Sequence, residues 1–235
     1  MILLGLDFET TGLDLTTDRI TEIGAVLWDT DTAKPVQLWS VLVKHDDAPA
    51  ITDEITRLTG ITQAMIDDYG HPVHRCLRQL FLMMGHAAAV VAHNGTGFDK
   101  PMLQAHIDRC GVIPPEIPWI DTAMDVPYPP QITTRKLVHL AAEHGFLNPF
   151  AHRAQFDVLT MLTILQRYDI ATVLDTARQP NITVIAQVSF DEREKAKSRG
   201  YRWDKVTTSW RKTIKLNQLD AERAQAGFEI ITITP

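Results

Sequence analysis

The sequence predicts an α/β fold: a mixed five-stranded sheet flanked by helices, followed by a small α+β module. Three observations carry this expectation. A buried apolar strand and two alternating segments, the first of these rich in Ile and Val, open the chain with short turns between them. Helical periods then alternate with short apolar runs. Finally, the charge changes sign along the chain. Residues 1–177 hold 12 Lys and Arg against 22 Asp and Glu, a net of −10, whereas residues 178–235 hold 11 against 7, a net of +4.

In chain order, residues 2–7 read as a buried strand, and residues 19–29 and 35–44 as two more, which makes an antiparallel meander. Residues 52–60 form a helix with an N-cap, Glu54 in its first turn and Gly60 as its stop. A short helix covers 61–70, and an apolar-periodic helix covers 73–84. Residues 87–94 (AAAVVAHN) are a fourth strand, buried on both sides. Residues 98–111 are a helix with Pro101 in its first turn and Gly111 at its end. A loop at 114–122 feeds a short strand, 126–131 is irregular, 134–144 is a helix ending at Gly145, and a last helix spans 153–168. A break follows at 175–181, giving domains of 1–174 and 175–235. The second domain reads as β-α-β-α-β: strand 182–190, charged helix 191–200, strand 207–214, helix 216–227 and strand 228–234. About 55 residues make a small core.

Composition is that of a globular protein, with 45% hydrophobic and 22% charged residues. Cys76 and Cys110 are far apart and in no CxxC pattern, which speaks against a disulfide framework or a cysteine zinc site and fits a reducing cytosol. The opening MILLGL is too short for a signal peptide, and no segment approaches the roughly 18 apolar residues of a membrane span. The expectation is a soluble cytoplasmic protein without membrane contact. A net charge of −6 argues against a protein that coats itself in nucleic acid.

Three segments carry chemistry. In LDFETTGLD, Asp7 and Glu9 are two positions apart on a strand and share a face, while Phe8 points into the core. Such a pair can share a hard divalent cation through its oxygens, or it can be a solvated strand edge. In AHNGTGFDKPML, a buried strand ends, His93 and Asn94 follow, two glycines loosen the loop, and Asp99 stands at a helix start. The helix dipole alone would favour a carboxylate there. In NPFAHRAQFDVLTML, His152 precedes the last helix and Asp157 lies in its second turn. Five residues on a helix span about 140°, so His152 must sit in the loop and reach over the helix start. Taken singly, Asp157 reads as a solvent-facing residue between core positions, and His152 as a surface or cap residue. Together the segments bring four carboxylates onto three elements, with a histidine, the side-chain type able to act near neutral pH. Without cations the carboxylates would repel one another and shift upward. With two divalent ions about 4 Å apart they would suit in-line phosphoryl chemistry.

DFETTGLD, HNGTGFDKPML and HRAQFD, in this order, resemble the three motifs of the DEDDh, or DnaQ-like, 3′–5′ exonuclease family, in the branch that holds exodeoxyribonuclease X and the polymerase III epsilon subunit. The likeness covers roughly residues 1–170. The third motif has its histidine form, His152 followed by four residues and Asp157; the tyrosine form would need Tyr where Arg153 stands. Residues 19–28 and 121–122 also look like family strands. The resemblance implies an RNase H-like fold and two Mg²⁺ or Mn²⁺ ions held by Asp7, Glu9, Asp99 and Asp157. It further implies that His152 is the general base, and that Thr10, Gly12 and Leu13 line the pocket of the terminal nucleotide. Leu13 suits wedging against a base. Phe98 faces either the base or the core, with the core favoured, and His93 and Asn94 either contact the strand or tie the loop. The implied substrate is DNA, as single strands or 3′ ends, with RNA as the alternative because no motif reads the 2′-hydroxyl. A non-catalytic nucleic-acid-binding module is the remaining rival.

KSRGYRWDKVTTSWRKTI interleaves basic and aromatic residues and resembles the C-terminal module of some exodeoxyribonuclease X-like proteins. Its cations read as phosphate contacts of an accessory nucleic-acid grip. Tyr201, Trp203 and Trp210 read as the core of a domain with few other large residues.

Overall fold

The computed structural model describes residues 1–233; Thr234, the end of the expected last strand, lies outside the described residues. The first sheet forms from β1 (Ile2–Thr10), β2 (Ile20–Asp29), β3 (Lys34–Lys44), β4 (His71–Pro72), β5 (Val90–Ala92) and β6 (Trp119–Asp121). Its order is β4-β3-β2-β1-β5-β6. The β1–β2 and β2–β3 pairs are antiparallel, and the β1–β5 and β5–β6 pairs are parallel. The sheet is therefore mixed, with the expected meander. It has six strands rather than five, because a two-residue segment after α2 docks on the end of β3. Two residues carry no periodicity, so β4 left no trace in the sequence pattern.

Alternation along β1 separates two cores. Leu4, Leu6 and Phe8 pack with α3 (Val73–Met84) and α4 (Asp99–Cys110) on one side. Leu3 packs on the other side with α5 (Leu137–Glu143), α6 (Ala154–Leu165) and α7 (Ile170–Arg178). The short helices α1 (Asp53–Thr59) and α2 (Gln63–Tyr69) link β3 to β4 and are capped by Thr52 and Thr62. On the Leu3 side two glycines admit α6 against the sheet. A Cβ on Gly5 would meet Val158 Cγ1 at 2.5 Å, and one on Gly24 would meet the α6 backbone at 2.4 Å. Gly24 is the cross-strand partner of Asp7, so this approach brings the start of α6 beside the strand carboxylates.

The expected break at 175–181 is occupied in part by α7, and the 174/175 division falls inside that helix. Val173 is buried, and Ile170, Leu174 and Ala177 pack beside it on the first core. The second sheet contains β7 (Asn181–Gln187), β8 (Arg202–Asp204), β9 (Ser209–Lys215) and β10 (Glu229–Ile233), with helices α8 (Arg193–Ser198) and α9 (Leu219–Ala226). The order β10-β7-β9-β8 with every neighbour antiparallel is a split βαβ arrangement. The expected β-α-β-α-β order thus lacked β8, a three-residue strand. Tyr201 is in the core and Trp210 packs against it. Trp203 departs from the core expectation: it is 50% exposed and meets Trp210 edge to face at 5.7 Å. No helix among the described residues is long and apolar enough to cross a membrane.

Candidate active site

Strands β1, β5 and β6 run parallel, so Glu9, His93 and Asp121 come to the same edge of the sheet, where open α/β sheets present their ligand crevices. Asp7 and Glu9 project from the face covered by α6. Glu22 stands directly across from Glu9 on β2, on the same face. Asp99 opens α4, and Asp157 lies in the first turn of α6.

Asp157 is fixed by two donors: Asn148 Nδ2 donates to Oδ1 at 2.7 Å, and the His152 backbone N–H donates to Oδ2 at 2.9 Å. The second bond places His152 in the loop before α6, as the helix geometry required, at a left-handed φ of 62°. A non-glycine residue there is strained, and such strain gathers at functional sites. One nitrogen of the exposed His152 ring and one oxygen each of Glu9 and Asp157 lie within 4.8 Å of one another. Asp7 and Asp99 stand outside this triplet but act on the same space.

Electrostatics expresses that convergence. Burial pushes the Asp7 carboxyl far above its ordinary value, and Asp99, Glu9, Asp157 and Glu22 each push it further. Glu9 is raised to about 8, by burial first and then by Asp157 and Glu22, with Arg153 opposing. Burial raises Asp99 to about 7. Asp157 also lies above its ordinary value, again mainly by burial, although its bond from His152 opposes the shift. Asp99 is 2% exposed, and its Oδ1 has no hydrogen-bond partner among the described residues. A buried carboxylate oxygen with nothing positive beside it is costly, and an oxygen-rich, cation-poor cluster of this kind fits divalent metal ions.

The pocket residues divide by geometry. Leu13 is 80% exposed on a loop held by Thr11 Oγ1 donating to Asp18 Oδ1 at 2.8 Å and by Arg109 donating to the Thr16 carbonyl at 2.9 Å. Thr10 is buried and donates to the Gly12 carbonyl at 2.6 Å. Both ring nitrogens of His93 are engaged, with Thr122 Oγ1 at 2.9 Å and the Arg135 carbonyl at 2.6 Å, an arrangement that ties the loop. Asn94 sits at φ 60° and gives its N–H to Asp121. Phe98 packs on the core side of α4.

Sequence reasoning missed two residues of this site. Glu22, 1% exposed, accepts from Arg153 Nε at 3.1 Å, from its Nη2 at 2.9 Å and from the Ala154 N–H at 3.1 Å, and so pins the start of α6 to β2. The signal was an acidic residue near the start of a strand rich in apolar residues. Asn148, which orients Asp157, had no signal beyond its place in a turn-forming NPF run.

Comparison with known proteins agrees with this geometry. Residues 4–165 match the family described as Exonuclease (RNase_T), and residues 183–231 match a domain of unknown function. The DNA polymerase III epsilon subunit of Treponema pallidum is 32% identical over 154 residues, covering 64% of this chain and 68% of that protein. The PolC-type DNA polymerase III of Thermotoga maritima is 32% identical over 152 residues, covering 65% of this chain. The matched region spans only 10% of that polymerase. Among solved structures, the nuclease domain of 3′hExo, a DEDDh family member bound to rAMP, superposes with a TM-score of 0.61 at 18% identity, covering 71% of this chain and 90% of that one. Escherichia coli exonuclease I in complex with a dT13 oligonucleotide gives 0.60 at 15% identity, covering 80% and 48%. With its carboxylates and histidine at the edge of an RNase H-like sheet, the chain belongs to the DnaQ-like exonuclease family.

Proposed function

We propose that this protein removes nucleotides one at a time from DNA 3′ ends, single-stranded ends above all, and releases nucleoside 5′-monophosphates. The observation that carries the reading is the cation-poor cluster of Asp7, Glu9, Asp99 and Asp157 with His152 at its rim. Two Mg²⁺ or Mn²⁺ ions held by these four carboxylates would supply the charge that the phosphoryl transition state needs. His152 would take the proton of an attacking water, a role supported by its exposure and by its own backbone bond to Asp157. The water oxygen then bonds to phosphorus and the bond to the 3′ oxygen breaks. Leu13 wedges against the penultimate base, Thr10 and Gly12 line the terminal-nucleotide pocket, and His93 and Asn94 hold the loop beside it. DNA as substrate is supported by the likeness to polymerase-associated relatives and by the oligonucleotide held by exonuclease I. RNA is the competing polymer, since 3′hExo holds rAMP.

The nuclease in this reading runs through α7 to Arg178, and the residues after it form the accessory module. Eight of the eleven cations counted from residue 178 onward lie within ion-pair distance of carboxylates. Among the described residues that leaves exposed Arg202, Lys205 and Arg223 for phosphates. The test is a gel with 5′- and 3′-labelled single-stranded DNA in Mg²⁺ and in EDTA, beside matched RNA. The reading expects a descending ladder from the 5′ label, mononucleotide from the 3′ label, and no reaction in EDTA. Faster shortening of RNA would overturn the DNA assignment, and binding without shortening would overturn catalysis.

A further inference from the structure

Lys215 closes β9 in the C-terminal module and is 8% exposed, an unusual place for an ammonium group. Its Nζ donates to the carbonyls of Ala177 at 3.1 Å and Gln179 at 3.3 Å, and it stands 3.4 Å from Asp125 Oδ1. Among the described residues it is the one cation beyond Arg178 that pairs with a carboxylate of the nuclease body; the others pair within the module or not at all.

Asp125 is 1% exposed, and its Oδ1 has no hydrogen-bond donor among the described residues, so the ammonium is what balances it. Its Oδ2 accepts from the Asp121 N–H at 2.7 Å and so closes the turn after β6. Asp121 then holds the loop before α4: Oδ1 accepts from Asn94 N–H and Oδ2 from Thr96 N–H, both at 2.9 Å. That loop closes on Asp99, with Phe98 N–H donating to the Asn94 carbonyl at 3.1 Å and Lys100 N–H to the Gly95 carbonyl at 2.9 Å. A second strut enters the same turn, where Gln218 Nε2 donates to the Met124 carbonyl at 3.0 Å. Removing the Lys215 charge would leave a buried carboxylate that must either take a proton or turn to water. Either response releases the Asp121 turn.

We propose that Lys215 is a positioning residue: through Asp125 and Asp121 the C-terminal module sets the 93–98 loop and, with it, the place of Asp99 in the metal site. This rests on Asp99 being a metal ligand. The module is then part of the nuclease's working geometry as well as an accessory surface. It explains why a lysine of a cation-rich module is spent on a buried contact instead of on phosphate.

The test compares full-length Lys215→Met, Lys215→Arg, Lys212→Met and Gln218→Ala. Three quantities are read: Mn²⁺ affinity by titration of the free-ion EPR signal, amide exchange of residues 93–98, and kcat and KM on a single-stranded oligonucleotide. Lys215→Met should weaken Mn²⁺ binding about 10- to 100-fold, the usual range for residues that orient metal ligands. It should also speed exchange in the loop and lower kcat with KM near wild type. Lys215→Arg should recover most of each loss. Lys212→Met breaks an ion pair inside the same module and should move none of them. Gln218→Ala creates no unpaired buried charge, so it serves if Lys215→Met does not fold; it should move all three the same way by a smaller factor. Wild-type Mn²⁺ affinity and loop exchange in folded Lys215→Met, or in Gln218→Ala if the former does not fold, would overturn the proposal. So would a Lys212→Met variant that moves them as far as Lys215→Met. A wild-type chain that binds Mn²⁺ yet shortens no oligonucleotide would sink the exonuclease reading alone, because affinity and exchange still test the positioning role.

Discussion

Glu9 in the nuclease body and Glu222 in the C-terminal module are each 8% exposed, yet their carboxyls are displaced in opposite directions. Burial lifts Glu9 to about 8, and three neighbouring carboxylates add to the lift against Arg153 alone. Burial also lifts Glu222, but hydrogen bonds from Arg199 and Lys212 outweigh it and hold the group below its ordinary value. Equal burial therefore says little by itself; the supply of cations separates a carboxylate that holds the fold together from one that stands among other carboxylates.

The largest expected effect lies on the cation-poor side. Asp7→Asn should lower kcat by more than about 100-fold, beyond what changes around a metal ligand cost. It should leave the fold intact and raise the melting temperature in EDTA by relieving repulsion; retained turnover would remove Asp7 from the site. Stability should then separate the two glutamates. Glu222→Gln should destabilise the chain by about 1–3 kcal/mol through its two abandoned cations, while Glu9→Gln in EDTA at pH 8 should stabilise it. Urea melts would show both, and the same sign for the two variants would break the comparison.

Asn148→Ala should cost about 10- to 100-fold in kcat by freeing Asp157, with little change in stability. A change confined to KM would place Asn148 on the substrate instead. The pH dependence carries a definite sign. Folded, metal-free chain keeps the Glu9 proton up to about 8, whereas the unfolded chain loses it near the ordinary 4.5. Metal-free stability should therefore be fullest below about pH 4.5 on account of this group, fall as pH rises through about 8, and level off above it. Asp99, raised from 3.8 to about 7, adds to the same fall over a lower window. Mg²⁺ should correspondingly raise the melting temperature more at pH 8.5 than at pH 6. The smallest effect belongs to exposed Leu13. Leu13→Ala should raise KM a few-fold, about the loss of one apolar base contact, and leave kcat unchanged.

Much of this was legible because it is local. The β1–β3 meander shows in alternation, α1 and α4 in Thr52, Gly60 and Gly111, and the shared face of Asp7 and Glu9 in the two-residue period of a strand. Helix α7 was legible too, in the spacing of Ile170, Val173, Leu174 and Ala177, but the polar, proline-bearing 175–181 segment reads as a break. Strands β4 and β8 are two and three residues long, too short for any period to declare itself.

By itself, then, the sequence determined the longer elements other than α7, the acidic character of the site and the family, since each depends on residues close together in the chain or on motifs in a set order. Only the tertiary structure decided that Glu22 faces Glu9, that Gly24 lets α6 bring Asp157 to Asp7, and that Lys215 answers Asp125 across 90 residues. Cross-strand register, helix approach and the pairing of buried charges depend on distances through space, and no local pattern encodes them.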